Sequence, residues 1–197
     1  MRALTRLTDA LAARLVVRVL WQGEELDRLL DADHARLVEE IVRRLSVAGW
    51  TAAPEVTFHV AGERGSIDVL AWHEEARRLL VVEVKSVVPD IQAMLAGLDR
   101  KVRIAPVVAR ERGWAARSAS RLLVLPDDRT ARRRLGNFAS TFDQVLPARN
   151  VRIRRWIWDP VEPVAGVMFL SDVTQTGARH RVRAQPRGIE RGQGPRM

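Results

Sequence analysis

Two carboxylates and a lysine fall into register in the apolar middle of the chain. Asp68 lies in the run Ile67–Trp72, and Glu83 and Lys85 lie in Leu79–Lys85. Side chains alternate across a strand, so Val81, Glu83 and Lys85 share one face while Leu80, Val82 and Val84 share the other. A β-branched run of this kind belongs in the centre of a sheet. A charged group there is costly to bury unless it is paired or metal-bound. A hairpin returning along Leu79–Lys85 brings Asp68 beside Glu83. Two carboxylates can hold Mg²⁺, which keeps several waters and readily bridges phosphate oxygens. The ion lowers the pKa of a bound water and clamps a scissile phosphate. A neighbouring ammonium orients the attacking water and stabilises the developing anion. The constellation therefore favours metal-assisted phosphodiester hydrolysis, with Mg²⁺ as cofactor and Mn²⁺ able to replace it.

The cation inventory sharpens this reading. The 197 residues carry 33 Lys plus Arg against 24 acids, a net charge of +9. Only Lys85 and Lys101 are lysines. A generic cation in this chain is written as arginine, so Lys85 marks a position that wants a compact ammonium rather than a forked guanidinium. Lys101, beside Asp99, Arg100 and Arg103, reads as part of an exposed helix face that doubles as a phosphate track. Arg64, in the turn Gly62–Gly65, is a second candidate for phosphate contact. Plainer readings use the same residues: a cross-strand ion pair for Glu83 and Lys85, a turn-closing role for Asp68, a solvated turn arginine for Arg64.

Composition limits the alternatives. At 47% hydrophobic and 29% charged residues, the chain suits one globular domain. Cysteine is absent, which excludes disulfides, Cys-ligated metals and thiol catalysis. The four histidines show no metal-ligand spacing. No apolar run approaches the roughly 20 residues of a membrane helix, and Asp9, Arg14 and Arg18 interrupt any secretory core. A cytoplasmic location without a membrane partner is expected. The excess of positive charge suits a polyanion, with DNA the expected partner.

The elements that must position the constellation follow from periodicity. Asp31 or Asp33 caps a helix to about Ala48, with Leu37, Val38, Ile41, Val42 and Leu45 on its buried face. Strands follow at Glu55–Ala61, Ile67–Trp72 and Leu79–Lys85. Pro89-Asp90 opens a long helix with Ile91, Leu95, Leu98 and Val102 at helical spacing. A strand at Arg121–Leu125, a helix from Asp127 or Asp128 to about Phe142 and a strand at Val164–Leu170 complete the order. This is an α/β domain with a mixed sheet flanked by helices over residues 31–173. Residues 1–30 form a lead-in, and residues 174–197, rich in Gly, Pro, Gln and Arg, are expected to be a disordered basic tail.

The sequence Gly65-Ser66-Ile67-Asp68, fourteen residues, then Glu83-Val84-Lys85 resembles the D…ExK core of the PD-(D/E)xK nucleases, which have the restriction-endonuclease-like fold. The resemblance covers about residues 31–125. It implies a DNA endonuclease in which Asp68 and Glu83 hold the metal and Lys85 activates water. It also implies an acid from the first helix, Glu39 or alternatively Glu40, and a supporting glutamine, Gln92, on the helix after the core. The proline before the first acid and the tyrosine one turn beyond the glutamine are missing here. The resemblance allows a homodimer that cuts both strands. The stretch from Leu4 to Asp31 resembles the end of a Cro/repressor-type helix-turn-helix. That suggests a second reading: a non-catalytic DNA-binding or transcription-regulatory protein built on a nuclease-like domain.

Overall fold

The computed structural model describes residues 24–88 and 90–171. The expected basic tail, Pro89 and the lead-in before residue 24 lie outside them. Helix α1 spans Glu24–Val47. The expected start at Asp31 or Asp33 is corrected, because the helix already runs through both from Glu24. No glycine or proline interrupts residues 24–47, and Asp33 pairs with Arg36 one turn along instead of capping an end. Gly49, at φ +86°, ends the helix as expected.

The remaining elements are β1 (Thr51–Val60), β2 (Glu63–His73), β3 (Arg78–Val84), α2 (Ile91–Glu111), β4 (Ser118–Pro126), α3 (Arg129–Gly136), α4 (Ala139–Val145), α5 (Asn150–Trp158) and β5 (Ala165–Leu170). The five strands lie in chain order, β1-β2-β3-β4-β5. The first three are antiparallel neighbours, and β4 and β5 run parallel to β3. The α/β architecture with a mixed sheet is thus as expected, and β3 is its middle strand. A two-residue turn, Ala61-Gly62, with both φ values positive, joins β1 to β2 and matches the twist of a hairpin. The parallel strands need longer connections: α2 carries the chain from β3 to β4, and α3 to α5 carry it from β4 to β5.

Alternation along β3 divides the core into two layers. Leu79 and Val81 pack with Leu123, Leu125 and the inner face of α2 (Ile91, Leu95, Leu98, Ile104, Val108). Leu80, Val82 and Val84 pack on the other side with α1 (Leu37, Val38, Ile41, Leu45) and α5 (Ile153, Trp156, Ile157). The Trp50 indole donates to the Ile157 carbonyl at 2.8 Å and ties the end of α1 to α5. Asp90 caps α2 as predicted, its carboxylate accepting from the backbone N–H groups of Gln92 and Ala93.

The third helical region differs from expectation. Asp128 does cap α3, but the helix stops at Gly136 and α4 begins at Ala139. Helix α5 has no counterpart among the expected elements, although Ile153, Trp156 and Ile157 form a helical stripe.

Ahead of α5, Ala148 bridges to Gly166 in β5, with Ala148 N–H donating to Ala165 and its carbonyl accepting from Val167. A Cβ on Gly166 would come within 2.7 Å of that Ala148 carbonyl and 2.5 Å of Ile153 Cδ1. Backbone cannot yield there as a side-chain tip can. Gly166→Ala should cost about 1–3 kcal/mol, read as a lower denaturant midpoint. An unchanged midpoint would show that the bridge is free to shift.

Candidate functional site

The site forms where two central strands separate. The β2–β3 ladder runs from His73↔Arg78 to Val69↔Val82 and ends there. Beyond that point β2 continues against β1 as far as Val60↔Glu63, while β3 stays on β4 through Val84↔Val124. The register, continued one step, sets Asp68 opposite Glu83 across the opening. Val84, whose N–H lies past the end of the ladder, donates to Asp68 Oδ2 at 2.7 Å. This bond fixes the Asp68 carboxylate in the gap. On the other side of Asp68, Glu55 in β1 has φ +50° and is passed over in the β1–β2 pairing. Such a backbone is strained for a residue with a Cβ.

Glu83 lies on the α2 face, as the alternation requires, and is only 5% exposed. Lys85 Nζ is 2.7 Å from Glu83 Oε1. The other oxygen, Oε2, accepts from Lys101, whose ammonium is also 3.1 Å from Asp68 Oδ1. Each of the four carboxylate oxygens therefore has a donor, and the two lysines of the chain both pair with Glu83.

Lys101 requires the largest correction. It is not on an exposed helix face: it is 9% exposed and aligned with the buried α2 residues Leu98, Ile104 and Ala105. Its neighbours Asp99 and Arg100 do face solvent. Two signals in the sequence point to it. It falls on the helical stripe Met94, Leu98, Lys101, Ala105, and its rarity matches that of Lys85.

The other candidates are not gathered at this point. Glu39 is exposed on α1, whose apolar residues pack on the sheet face opposite Glu83. Glu40, on the same helix, bonds to Arg43 and Arg44. The hydrogen bond from Arg43, with further help from Arg44, holds its carboxyl below the usual carboxylate range against the opposing effect of burial. Gln92 is exposed in the first turn of α2, and Arg64 is exposed in β2. Arg64 lies opposite His59, next to Gly65, over which the Phe58 ring packs so closely that a Cβ there would lie 2.7 Å from Cζ.

Among the described residues, no three of His, Cys, Asp and Glu form a group able to hold a metal. Two carboxylates nevertheless suit Mg²⁺, which uses one or two and completes its shell with water and phosphate oxygens. The ammonium bound to both Asp68 and Glu83 marks the place where a cation is favoured. In comparison with known proteins, the chain matches no family model and none of the curated proteins. No helix among the described residues is long and apolar enough to cross a membrane.

Removing a partner from a buried ion pair strands the remaining charge. Lys101 has a side chain 11% exposed, and that of Lys85 is 32% exposed. Without divalent metal, Lys101→Met should cost about 3–5 kcal/mol and Lys85→Met about 1 kcal/mol or less. Thermal denaturation in EDTA checks the order; equal losses would mean that solvent screens both pairs alike.

Proposed function

We propose that this chain is a Mg²⁺-dependent DNA endonuclease of restriction-endonuclease-like fold. The observation that carries the reading is the meeting of Asp68, Glu83 and Lys85 at the point where two central strands part. Asp68 and Glu83 would hold the ion, with Asp68 kept in place by the Val84 N–H. When bound, the divalent cation supplies Lewis-acid charge at the phosphate and acidifies the hydrolytic water. Lys85, one-third exposed and ion-paired with the inner carboxylate, presents its outer side to orient that water. Water oxygen forms the new bond to phosphorus while the bond to the leaving oxygen breaks, and the products are a phosphate end and a hydroxyl end. The ammonium stabilises the charge that gathers on the phosphoryl oxygens.

A polyanionic substrate is supported by the cationic surplus of the helices between β4 and β5. Between residues 129 and 158 there are eight arginines against one acid, Asp143, and all of the arginines except Arg149 are exposed. These exposed arginines are divided between α3, packed on the α2 side of the sheet, and α5, packed on the α1 side, and such side chains contact phosphate backbone without reading sequence.

One observation favours a second reading. The two carboxylates are already balanced by two ammonium groups, so the cluster needs no metal to persist. That suits a nuclease-like domain retained for DNA binding or transcriptional regulation.

Cleavage of supercoiled plasmid in Mg²⁺, Mn²⁺ or EDTA separates the two. The nuclease reading expects metal-dependent nicking that falls by about 100-fold or more in Lys85→Ala at matched DNA binding. Retained cleavage in an Asp68→Ala/Lys85→Ala double variant would refute the assigned site. DNA binding by the wild-type protein with no cleavage in either metal would establish the second reading instead.

A further inference from the structure

We propose that Lys101 is a tethered counter-cation which a divalent metal must displace, so that the metal-free protein keeps its own site closed. The inference rests on the reading of Asp68 and Glu83 as metal ligands and adds a device that sets when the ion can bind.

The geometry gives the competition directly. Lys101 Nζ is 3.1 Å from Asp68 Oδ1 and also bonds to Glu83 Oε2. Those are the inward oxygens of the pair, because Asp68 Oδ2 is taken by the Val84 N–H and Glu83 Oε1 by Lys85. A Mg²⁺-like ion requires oxygens at about 2.0–2.1 Å, and it would have to take them from the ammonium. The two cannot share these oxygens, since a dication and an ammonium would then face each other within a few ångströms in a largely buried space.

The residue type suits an exchange of this kind. A lysine ammonium rides on four flexible carbons and forms no planar fork, so its head can withdraw while the stem stays packed. An arginine, the cation used 31 times elsewhere in the chain, would hold a carboxylate in a bidentate grip and release it less readily. Its helix gives it a fixed origin: Leu98 and Ala105, a turn to either side of Lys101, are buried against the sheet. Displacement therefore moves the side chain and not the helix. Lys85 has a different place. It bonds only the outer oxygen of Glu83 and is more exposed, so it does not block the space between the two acids.

The consequence is a penalty on metal affinity. A ligand that binds only the open form has its apparent affinity reduced by the fraction of molecules that are open. Removing the ammonium removes that penalty and leaves two carboxylates that repel each other until a cation arrives.

The test is a calorimetric Mn²⁺ titration of the full chain in the absence of nucleic acid, on the wild-type protein, Lys101→Met and Lys85→Met. Lys101→Met should bind Mn²⁺ about tenfold more tightly than wild type, or tighter still, and Mn²⁺ should raise its melting temperature by more than that of wild type. Adding Asp68→Asn to Lys101→Met should abolish both effects. If circular dichroism shows Lys101→Met to be unfolded without metal, Lys101→Gln, which keeps a neutral donor, carries the same expectation. Unchanged or weaker Mn²⁺ binding by a folded Lys101 variant overturns the proposal. If wild type still cleaves DNA in Mn²⁺ in that case, the nuclease reading stands without the displacement. Tighter Mn²⁺ binding by the variant with no cleavage by either protein leaves the displacement standing and removes the nuclease reading.

Discussion

The arrangement of the whole domain depends on the burial of acids beside the middle strand of a sheet. Glu83 is nearly sealed from solvent, and an unpaired carboxylate there would cost several kcal/mol. Its charge must be met locally, and the chain does so with its two lysines, one just past the end of β3 and one from α2. The parting of β2 from β3 supplies the space. Without it the ladder would continue through Asp68 and Glu83, and there would be no opening between the strands for Asp68 to turn into. Instead the Asp68 side chain takes over the satisfaction of the Val84 N–H, as a buried backbone donor demands.

The two-layer core makes that opening possible. The face of β3 that carries Leu80, Val82 and Val84 is covered by α1 and α5 and holds the strand against β4. The other face ends in Glu83, under α2. One strand can thus be apolar through most of its length and charged at its end without losing its central place. Helix α2 has a double role, since the same stripe that seals the core with Leu98, Ile104 and Ala105 delivers Lys101 to the acids.

Much of this was legible in the sequence because it follows from short-range pattern. The period of two in Leu79–Lys85 places Glu83 and Lys85 on one face, and the connection from β2 to β3 is short enough that antiparallel pairing follows and sets Asp68 opposite Glu83. The order of elements, the capping of α2 by Asp90 and the central position of β3 are of the same kind. What was not legible depends on partners distant in sequence. Lys101 lies 33 residues from Asp68 and 18 from Glu83, and its immediate neighbours are charged and exposed, which conceals the buried stripe it belongs to. The start of α1 was misplaced because an aspartate that can cap a helix can equally pair with an arginine one turn along, and Asp33 does the latter. Helix α5 is hard to see in the sequence because its apolar stripe is only Ile153, Trp156 and Ile157 among several arginines, and packing in the layer with α1 and the sheet selects the helical period. The first-helix acids Glu39 and Glu40 followed from family resemblance alone; α1 packs on the face opposite Glu83, and Glu40 is bonded to its own helix.

The proposed divalent-cation site lies in the gap between Asp68 and Glu83. The most direct measurement is an anomalous difference map from crystals of the full chain soaked in Mn²⁺. A divalent cation bound there gives one peak within about 2.0–2.3 Å of an oxygen from each carboxylate, with the Lys101 ammonium withdrawn from both. A well-ordered map in which Lys101 still bridges Asp68 and Glu83, with no anomalous peak between them at saturating Mn²⁺, would contradict the proposed site.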